Sequence, residues 1–138
     1  PYKENLKKLV KEYHLESWVH LSGWITNKSK EHLKVLQESA IYISASRVEN
    51  CPTSVLEAIA CGSHVILSDI PAHRQLMGEL DSEIFFPVDD VDALANKIQK
   101  LIKETASERS LSNSYHVGQF SWANSIQKYV TLLEENID

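Results

Sequence analysis

Short apolar runs alternate along this chain with stretches whose apolar positions recur every three to four residues. Leu6, Leu9 and Val10 hold helical spacing near Tyr2–Tyr13, which predicts an amphipathic helix. The run Trp18-Val-His-Leu-Ser-Gly-Trp24 reads as a strand ending at a glycine. A helix is predicted over Lys30–Glu38, with Leu33, Leu36 and Gln37 on one side, ahead of an apolar strand at Ala40–Ser44. After Pro52 comes a helix that stops at Gly62, a position expected to be left-handed. Val65–Leu67 and Ile84–Phe86 predict two further buried strands. Asp90 or Asp92 is placed to cap a helix running to about Lys103, with Leu94, Ile98, Leu101 and Ile102 inward. A last helix, from about Ser121 to Glu135, carries Ile126, Val130 and Leu133 on one face. Short apolar strands alternating with helices predict an α/β fold, a parallel sheet covered on both sides. No repeat, low-complexity run or linker interrupts the pattern, so residues 1–138 are expected to form a single domain.

Composition narrows the partners. At 138 residues the chain is long enough for a real core. Its net charge of −5 argues against nucleic acid, which normally demands a basic patch or stripe. Lys3, Lys7, Lys8 and Lys11 do cluster on the first helix, and a basic amphipathic helix can touch a membrane peripherally. Glu4, Glu12 and Glu16 dilute that charge, and the cluster reads as a solvated face. No segment approaches the apolar length that spans a bilayer, and no signal-peptide pattern is visible. Cys51 and Cys61 lack a Cys-x-x-Cys spacing, and His14, His20, His32, His64, His73 and His116 show no metal-ligand spacing. Reduced thiols in a cytoplasmic protein with no metal site are the expectation.

The densest chemistry lies in Glu49-Asn-Cys-Pro-Thr-Ser-Val-Leu-Glu57, followed by Ala-Ile-Ala-Cys-Gly62. A strand over Ile41–Ser44 delivers the first glutamate into a loop, and a short helix carries the second one turn in. A helix start offers unbonded N–H groups and a positive dipole end, which suits an anion. Carboxylates beside a phosphate site suit hydroxyl groups better than charges, so the combination points to a phosphorylated polyol such as a nucleotide sugar. In a parallel sheet, ligands sit beyond the carboxyl ends of the strands. Glu49 follows the strand at 41–44, and Gly23-Trp24-Ile25 follows the strand at 18–22, which puts both on one rim.

Periodicity leaves other readings open. With Val55, Leu56, Ile59 and Ala60 on the buried side of its helix, Glu57 is either a solvated acid or a ligand. Glu49 alone could be a loop acid favoured modestly by a helix dipole, ~0.3–1 kcal/mol. Cys51 reads as a packing residue, with no base evident to make it a nucleophile, and Cys61 as buried packing. Trp18, Trp24 and Trp122 read as core or rim aromatics.

The run Ser44-Ala-Ser-Arg-Val-Glu49-Asn-Cys-Pro-Thr-Ser-Val-Leu-Glu57-Ala-Ile-Ala-Cys-Gly62-Ser-His-Val-Ile-Leu-Ser68 resembles the signature of family 4 glycosyltransferases (glycosyl transferases group 1). These are retaining enzymes of the GT-B fold, marked by two glutamates separated by seven residues. Val19-His-Leu-Ser-Gly-Trp24 resembles the strand before the family's base pocket, and Ser68-Asp-Ile-Pro-Ala-His-Arg74 the segment after the next strand. Phe120-Ser-Trp122 resembles a pattern at the family's final helix.

That resemblance implies a Rossmann-like sheet forming the C-terminal, donor-binding half of a GT-B enzyme. Glu49 would be the catalytic carboxylate, holding donor-sugar hydroxyls together with Asn50 and Cys51. Backbone N–H groups of Thr53 and Ser54 would hold the diphosphate, Glu57 the ribose hydroxyls, and the Trp24-Ile25 backbone the base. The substrate implied is a UDP- or GDP-hexose, with no metal and no other cofactor required. The family's Arg/Lys pair for the diphosphate lies upstream of anything matching residue 1, as does the domain that binds the acceptor sugar, lipid or protein. The chain is therefore expected to be a fragment, truncated at its start and inactive alone. Asn50-Cys51-Pro52 stands where many members have Gly-Phe-Gly, and Gln75 where a glutamate is common. The alternative function is a non-catalytic scaffold or partner-binding module of the same fold.

Overall fold

A computed structural model describes residues 2–27, 29–78, 82–105 and 121–134. Among these residues the elements in order are α1 (Tyr2–Glu12), α2 (Lys30–Glu38), β1 (Ile41–Ser44), α3 (Thr53–Ala60), β2 (His64–Ser68), α4 (Pro71–Met77), a 3-10 turn (Ser82–Ile84), β3 (Phe85–Phe86), α5 (Val91–Thr105) and α6 (Trp122–Glu134). The chain divides into two compact units, Pro1–His32 and Leu33–Asp138.

In the first unit, α1 carries no buried residue, and Lys7 pairs with Glu4 at 2.8 Å. The helix ends in a Schellman turn, in which the Leu15 N–H donates to Val10 and that of His14 to Lys11. His14 takes the left-handed position, φ 54°, that glycine usually fills. The strand expected over Trp18–Trp24 is not formed. Trp18 and Val19 both donate back to the Leu15 carbonyl at 2.9 Å, so its start is spent in a local turn. The rest runs without a strand ladder to Trp24.

The second unit holds a three-stranded parallel sheet in the order β1-β2-β3. Ile41 pairs with His64 and Ser44 with Leu67; Leu67 pairs in turn with Phe85 and Ser68 with Phe86. Parallel neighbours need a crossover, and α3 supplies it between β1 and β2. The core beneath joins Val55 and Ile59 of α3, Val65 and Leu67 of β2, Leu76 and Met77 of α4, and Phe85 of β3. Tyr42, Leu56 and Ile84 pack at its edge.

Helix ends follow their residues. Gly62 sits at φ 87° in a second Schellman turn, with Ser63 donating to Ala58 and Gly62 to Ile59. Asp90, rather than Asp92, caps α5, its carboxylate accepting the Ala93 N–H at 2.8 Å. In α6, Ser121 caps through its hydroxyl to the Asn124 N–H. Helix α4 was not legible from periodicity; its signal is Pro71 at the first helical position.

Several expected core positions are displaced. Ala58, not Ala60, completes the buried side of α3, and Ile102 is 57% exposed although it was expected inward. Leu94, Ile98 and Leu101 are half-buried, while Ile126 and Val130 of α6 are exposed. The side chains of Leu133 and Trp122, and all of His116, Phe120 and Glu135, lie outside the described residues.

An alanine at position 62 finds open space but must adopt a left-handed backbone. Gly62→Ala is expected to lower stability by about 1–2 kcal/mol, and Ile59→Ala by about 2–5 kcal/mol. Both are read by urea unfolding, and a Gly62→Ala loss near zero would show that α3 ends differently in solution.

Candidate functional site

The site begins where β1 ends. Ser44 is the last strand residue, and residues 45–52 form an irregular loop before α3. Within it Glu49 is half-buried and accepts a hydrogen bond from the Ser46 hydroxyl at 2.7 Å. Ser46 is itself held, since the Ser68 hydroxyl donates to its carbonyl at 2.5 Å. Asn50 and Cys51 are exposed, Cys51 as a free thiol. Cys51 is therefore not the packing residue expected, and Cys61 is only half-buried.

At Pro52 the backbone turns sharply. Its φ of −76° and ψ of 71° describe an inverse γ-turn, and the Thr53 N–H closes it on the Cys51 carbonyl at 2.8 Å. The Val55 N–H bonds to the Pro52 carbonyl, and α3 has no side-chain cap at its start. Thr53 and Ser54 are exposed there. The Ser54 hydroxyl accepts from the Tyr42 phenol at 2.8 Å, which ties the first turn of α3 to β1. One turn further, Glu57 is half-buried. Glu49, Asn50, Cys51, Thr53, Ser54 and Glu57 thus line one continuous loop-to-helix segment at the carboxyl end of β1.

Trp24 and Ile25 belong to the first unit. Ile25 is half-buried, whereas Trp24 is 91% exposed and Trp18 85%. Neither tryptophan is a core residue. Among the described residues, no three histidine, cysteine, aspartate or glutamate side chains converge as metal ligands. No helix among them is long and apolar enough to cross a membrane.

Next along the rim, past β2, Arg74 reaches back from α4 to grip Asp69 with two bonds of 2.7 and 2.8 Å. Its guanidinium also lies 4.2 Å from the centroid of the Phe85 ring. The hydrogen bond from Arg74 holds the Asp69 carboxyl below the ordinary aspartate range, and the same bond raises Arg74. Arg47 in turn donates to Asp89 at 2.9 Å, linking the Glu49 loop to the turn before α5. Sequence reasoning missed this pair, the Asp69–Arg74 grip and the buried His73. Partners 5 to 42 residues apart leave no periodic trace.

The chain matches the family described as Glycosyl transferases group 1 over residues 1–115. It is 27% identical over 130 residues to a GDP-mannose:cellobiosyl-diphosphopolyprenol alpha-mannosyltransferase of Xanthomonas oryzae pv. oryzae, covering 91% of this chain and 33% of that protein. It is 27% identical over 124 residues to the O-antigen chain mannosyltransferase B of Escherichia coli, covering 86% of this chain and 31% of that one. The chain thus spans about a third of the length of these relatives. A sucrose-phosphate synthase from Thermosynechococcus elongatus superposes with a TM-score of 0.77 at 26% identity, over 97% of this chain and 34% of that chain. The catalytic domain of cholesterol-alpha-glucosyltransferase from Helicobacter pylori superposes with a TM-score of 0.71 over 88% of this chain and 74% of that chain; at 21% identity it speaks to fold alone.

Because the folded Asp69 carboxyl titrates below its unfolded value, its contribution to stability is present above the ordinary aspartate range. It is lost as pH falls through the lowered value. Arg74→Gln is expected to raise the Asp69 titration midpoint toward an ordinary aspartate, followed by the carboxyl resonance in an NMR pH series. An unmoved midpoint would show that the grip does not persist in solution.

Proposed function

Because the chain belongs to the group 1 glycosyl transferases, we propose that it binds the nucleoside-diphosphate sugar of a retaining transfer, with Glu49 and Glu57 as the two carboxylates that hold that donor. Its fold is the helix-covered parallel sheet of the GT-B enzymes. The observation that carries the reading is the continuous segment at the carboxyl end of β1. It runs from a half-buried acid through a γ-turn into a helix start without a side-chain cap, with a second acid one turn in.

Each part has a chemical task. The Ser46 hydroxyl occupies one oxygen of Glu49, leaving a carboxylate with further lone pairs aimed by that bond. Glu49 then accepts from hydroxyls of the transferred sugar beside the carbon that changes partners. The Ser54 N–H and the dipole of α3 attract the diphosphate. The Thr53 N–H joins them by leaving the Cys51 carbonyl, because an anionic oxygen outcompetes the strained acceptor of a γ-turn. These donors stabilise the charge that builds on the leaving diphosphate, typically the largest single catalytic contribution. Glu57 is the acceptor for the paired hydroxyls of the ribose.

The transferred sugar is a hexose in this reading, and GDP-mannose is the first donor to test, since a relative is named for it. The acceptor, a sugar, lipid or protein, is held by a separate domain N-terminal to this one, and the enzyme works in the cytoplasm without a metal. In this reading residues 1–138 act as part of one C-terminal donor-binding domain.

Glu57→Ala is expected to weaken binding of the matching nucleotide about tenfold, the loss of a charge-assisted hydrogen bond or two, in a domain that still folds. Glu49→Gln is expected to lower kcat by about 10²-fold or more with little change in nucleotide affinity. Calorimetry against GDP and UDP, with initial rates on the full-length protein, reads both. Nucleotide binding indifferent to both glutamates would instead identify a scaffold of the same fold.

A further inference from the structure

A buried histidine lies behind the Glu49 loop, and none of the donor contacts proposed above uses it. His73, the third residue of α4, is 0% exposed and sits between Ser44 and Ser68. Its Nδ1 lies 2.8 Å from the Ser68 carbonyl oxygen. A carbonyl only accepts, so Nδ1 carries the hydrogen and donates it. Nε2 faces the Ser44 hydroxyl at 3.3 Å. The imidazole thus bridges the last residues of β1 and β2, which the parallel register, Ser44 opposite Leu67, leaves one residue out of step.

The bridge continues outward. The Ser68 hydroxyl oxygen, 3.3 Å from Nδ1, takes the longer branch of that same ring hydrogen, and the hydroxyl spends its own hydrogen on the Ser46 carbonyl at 2.5 Å. Ser46 in turn spends its hydroxyl hydrogen on the Glu49 carboxylate at 2.7 Å. Three hydrogen-bonded steps therefore run from a fully buried ring to a half-buried acid in an irregular loop. The loop's other tie, Arg47 to Asp89, has side chains 75% and 63% exposed. Exposed pairs of that kind hold little, whereas the ring end of this chain is buried, where a polar group that loses its partner is left unsatisfied, and the two steps that reach Glu49 are part-buried.

We propose that His73 is a positioning residue for Glu49: by locking the Ser68 hydroxyl onto the Ser46 carbonyl, it fixes the loop that presents the carboxylate to the donor sugar. This rests on the reading of Glu49 as the donor-sugar acid. The arrangement has a consequence in kinetics, since a reactive group displaced by about 1 Å can cost on the order of 10²-fold in rate while binding elsewhere on the ligand persists.

The test uses the full-length protein and four variants: His73→Phe, His73→Asn, Ser68→Ala and Leu76→Ala. Leu76 is buried on the same helix but outside the chain of hydrogen bonds, and reports general loosening of the core. Ser68→Ala is the mildest break, retained in case His73→Phe does not fold. Hydrogen exchange over residues 45–50 is expected to accelerate about tenfold or more in Ser68→Ala and His73→Phe, the equivalent of losing one such bond. Peptides from β2 and α3 should keep their protection. His73→Asn, whose amide can replace the Nδ1 donor, is expected to restore most of it. With GDP-mannose as donor, kcat should fall about ten- to a hundredfold in the two breaking variants while donor KM moves less than about threefold.

Exchange over 45–50 that stays at the wild-type rate in Ser68→Ala would overturn the proposal, as would acceleration spread across the sheet as in Leu76→Ala. So would rate losses no larger than those of Leu76→Ala. A wild-type protein that transfers no sugar from any nucleotide donor would sink the reading of Glu49. The exchange data would still decide whether His73 holds the loop.

Discussion

Everything at the candidate site descends from one constraint, the parallel pairing of Ile41–Ser44 with His64–Ser68. Two parallel neighbours cannot be joined by a tight turn, because the chain must travel back to the starting edge. Helix α3 makes that return, so its amino end has to stand at the carboxyl end of β1 and its carboxyl end at the start of β2. A loop acid just after β1 and a helix acid in the first turns of α3 are consequently neighbours along one rim. No special interaction between the two glutamates is needed; the crossover puts them there.

The crossover is held at both ends by polar groups of small side chains. At its start, the Tyr42 phenol of β1 donates to Ser54 in the first turn of α3. At its far end, the Schellman turn at Gly62 places Ser63 inside the protein, where its hydroxyl reaches the Leu36 and Ser39 carbonyls left over at the end of α2. The His64 N–H then meets the Ala40 carbonyl and begins the ladder. Carbonyls at and just past the end of α2 are thereby used to set the start of β2. Among the described residues, no buried side-chain nitrogen or oxygen lacks a partner. For a core containing Ser44, Ser63, Ser68 and His73, that is a tight geometric condition.

The rim beyond the strands is polar in a different way. Arg47 with Asp89 and Arg74 with Asp69 are exposed ion pairs, worth little as stability. Their effect is to orient the turns that follow β1 and β2. Arg74 is the better fixed of the two, since its guanidinium grips both oxygens of Asp69 while lying against Phe85 of β3. The candidate loop is therefore tied from beneath by part-buried hydrogen bonds that lead back to a buried ring, and only steadied from outside by charge.

Much of this was legible in the residues because it rests on local physics. The helical spacing in Lys30–Glu38, the glycine that ends α3 and the aspartate that caps α5 act within a few residues of where they stand. The apolar runs at 41–44 and 65–67 announced parallel strands in the same way, although Ile43 of the first is 41% exposed, and Glu49 and Glu57 fall on the loop and helix after β1 as their positions suggested. Local pattern misled where a neighbour decides the outcome. Trp18–Trp24 alternates like a strand, but its first N–H groups bond back to Leu15, and Ile102 has inward spacing on a helix that leaves it to solvent. Helix α4 is short and its inward residues include a histidine, so no apolar stripe announced it. The sequence by itself determined most of the elements and where their helices end, since propensity, capping and periodicity are properties of adjacent residues. Only the tertiary structure decided that His73 meets Ser44 and Ser68 and, through Ser46, reaches Glu49, because parallel pairing alone brings the ends of strands 24 residues apart into hydrogen-bonding range.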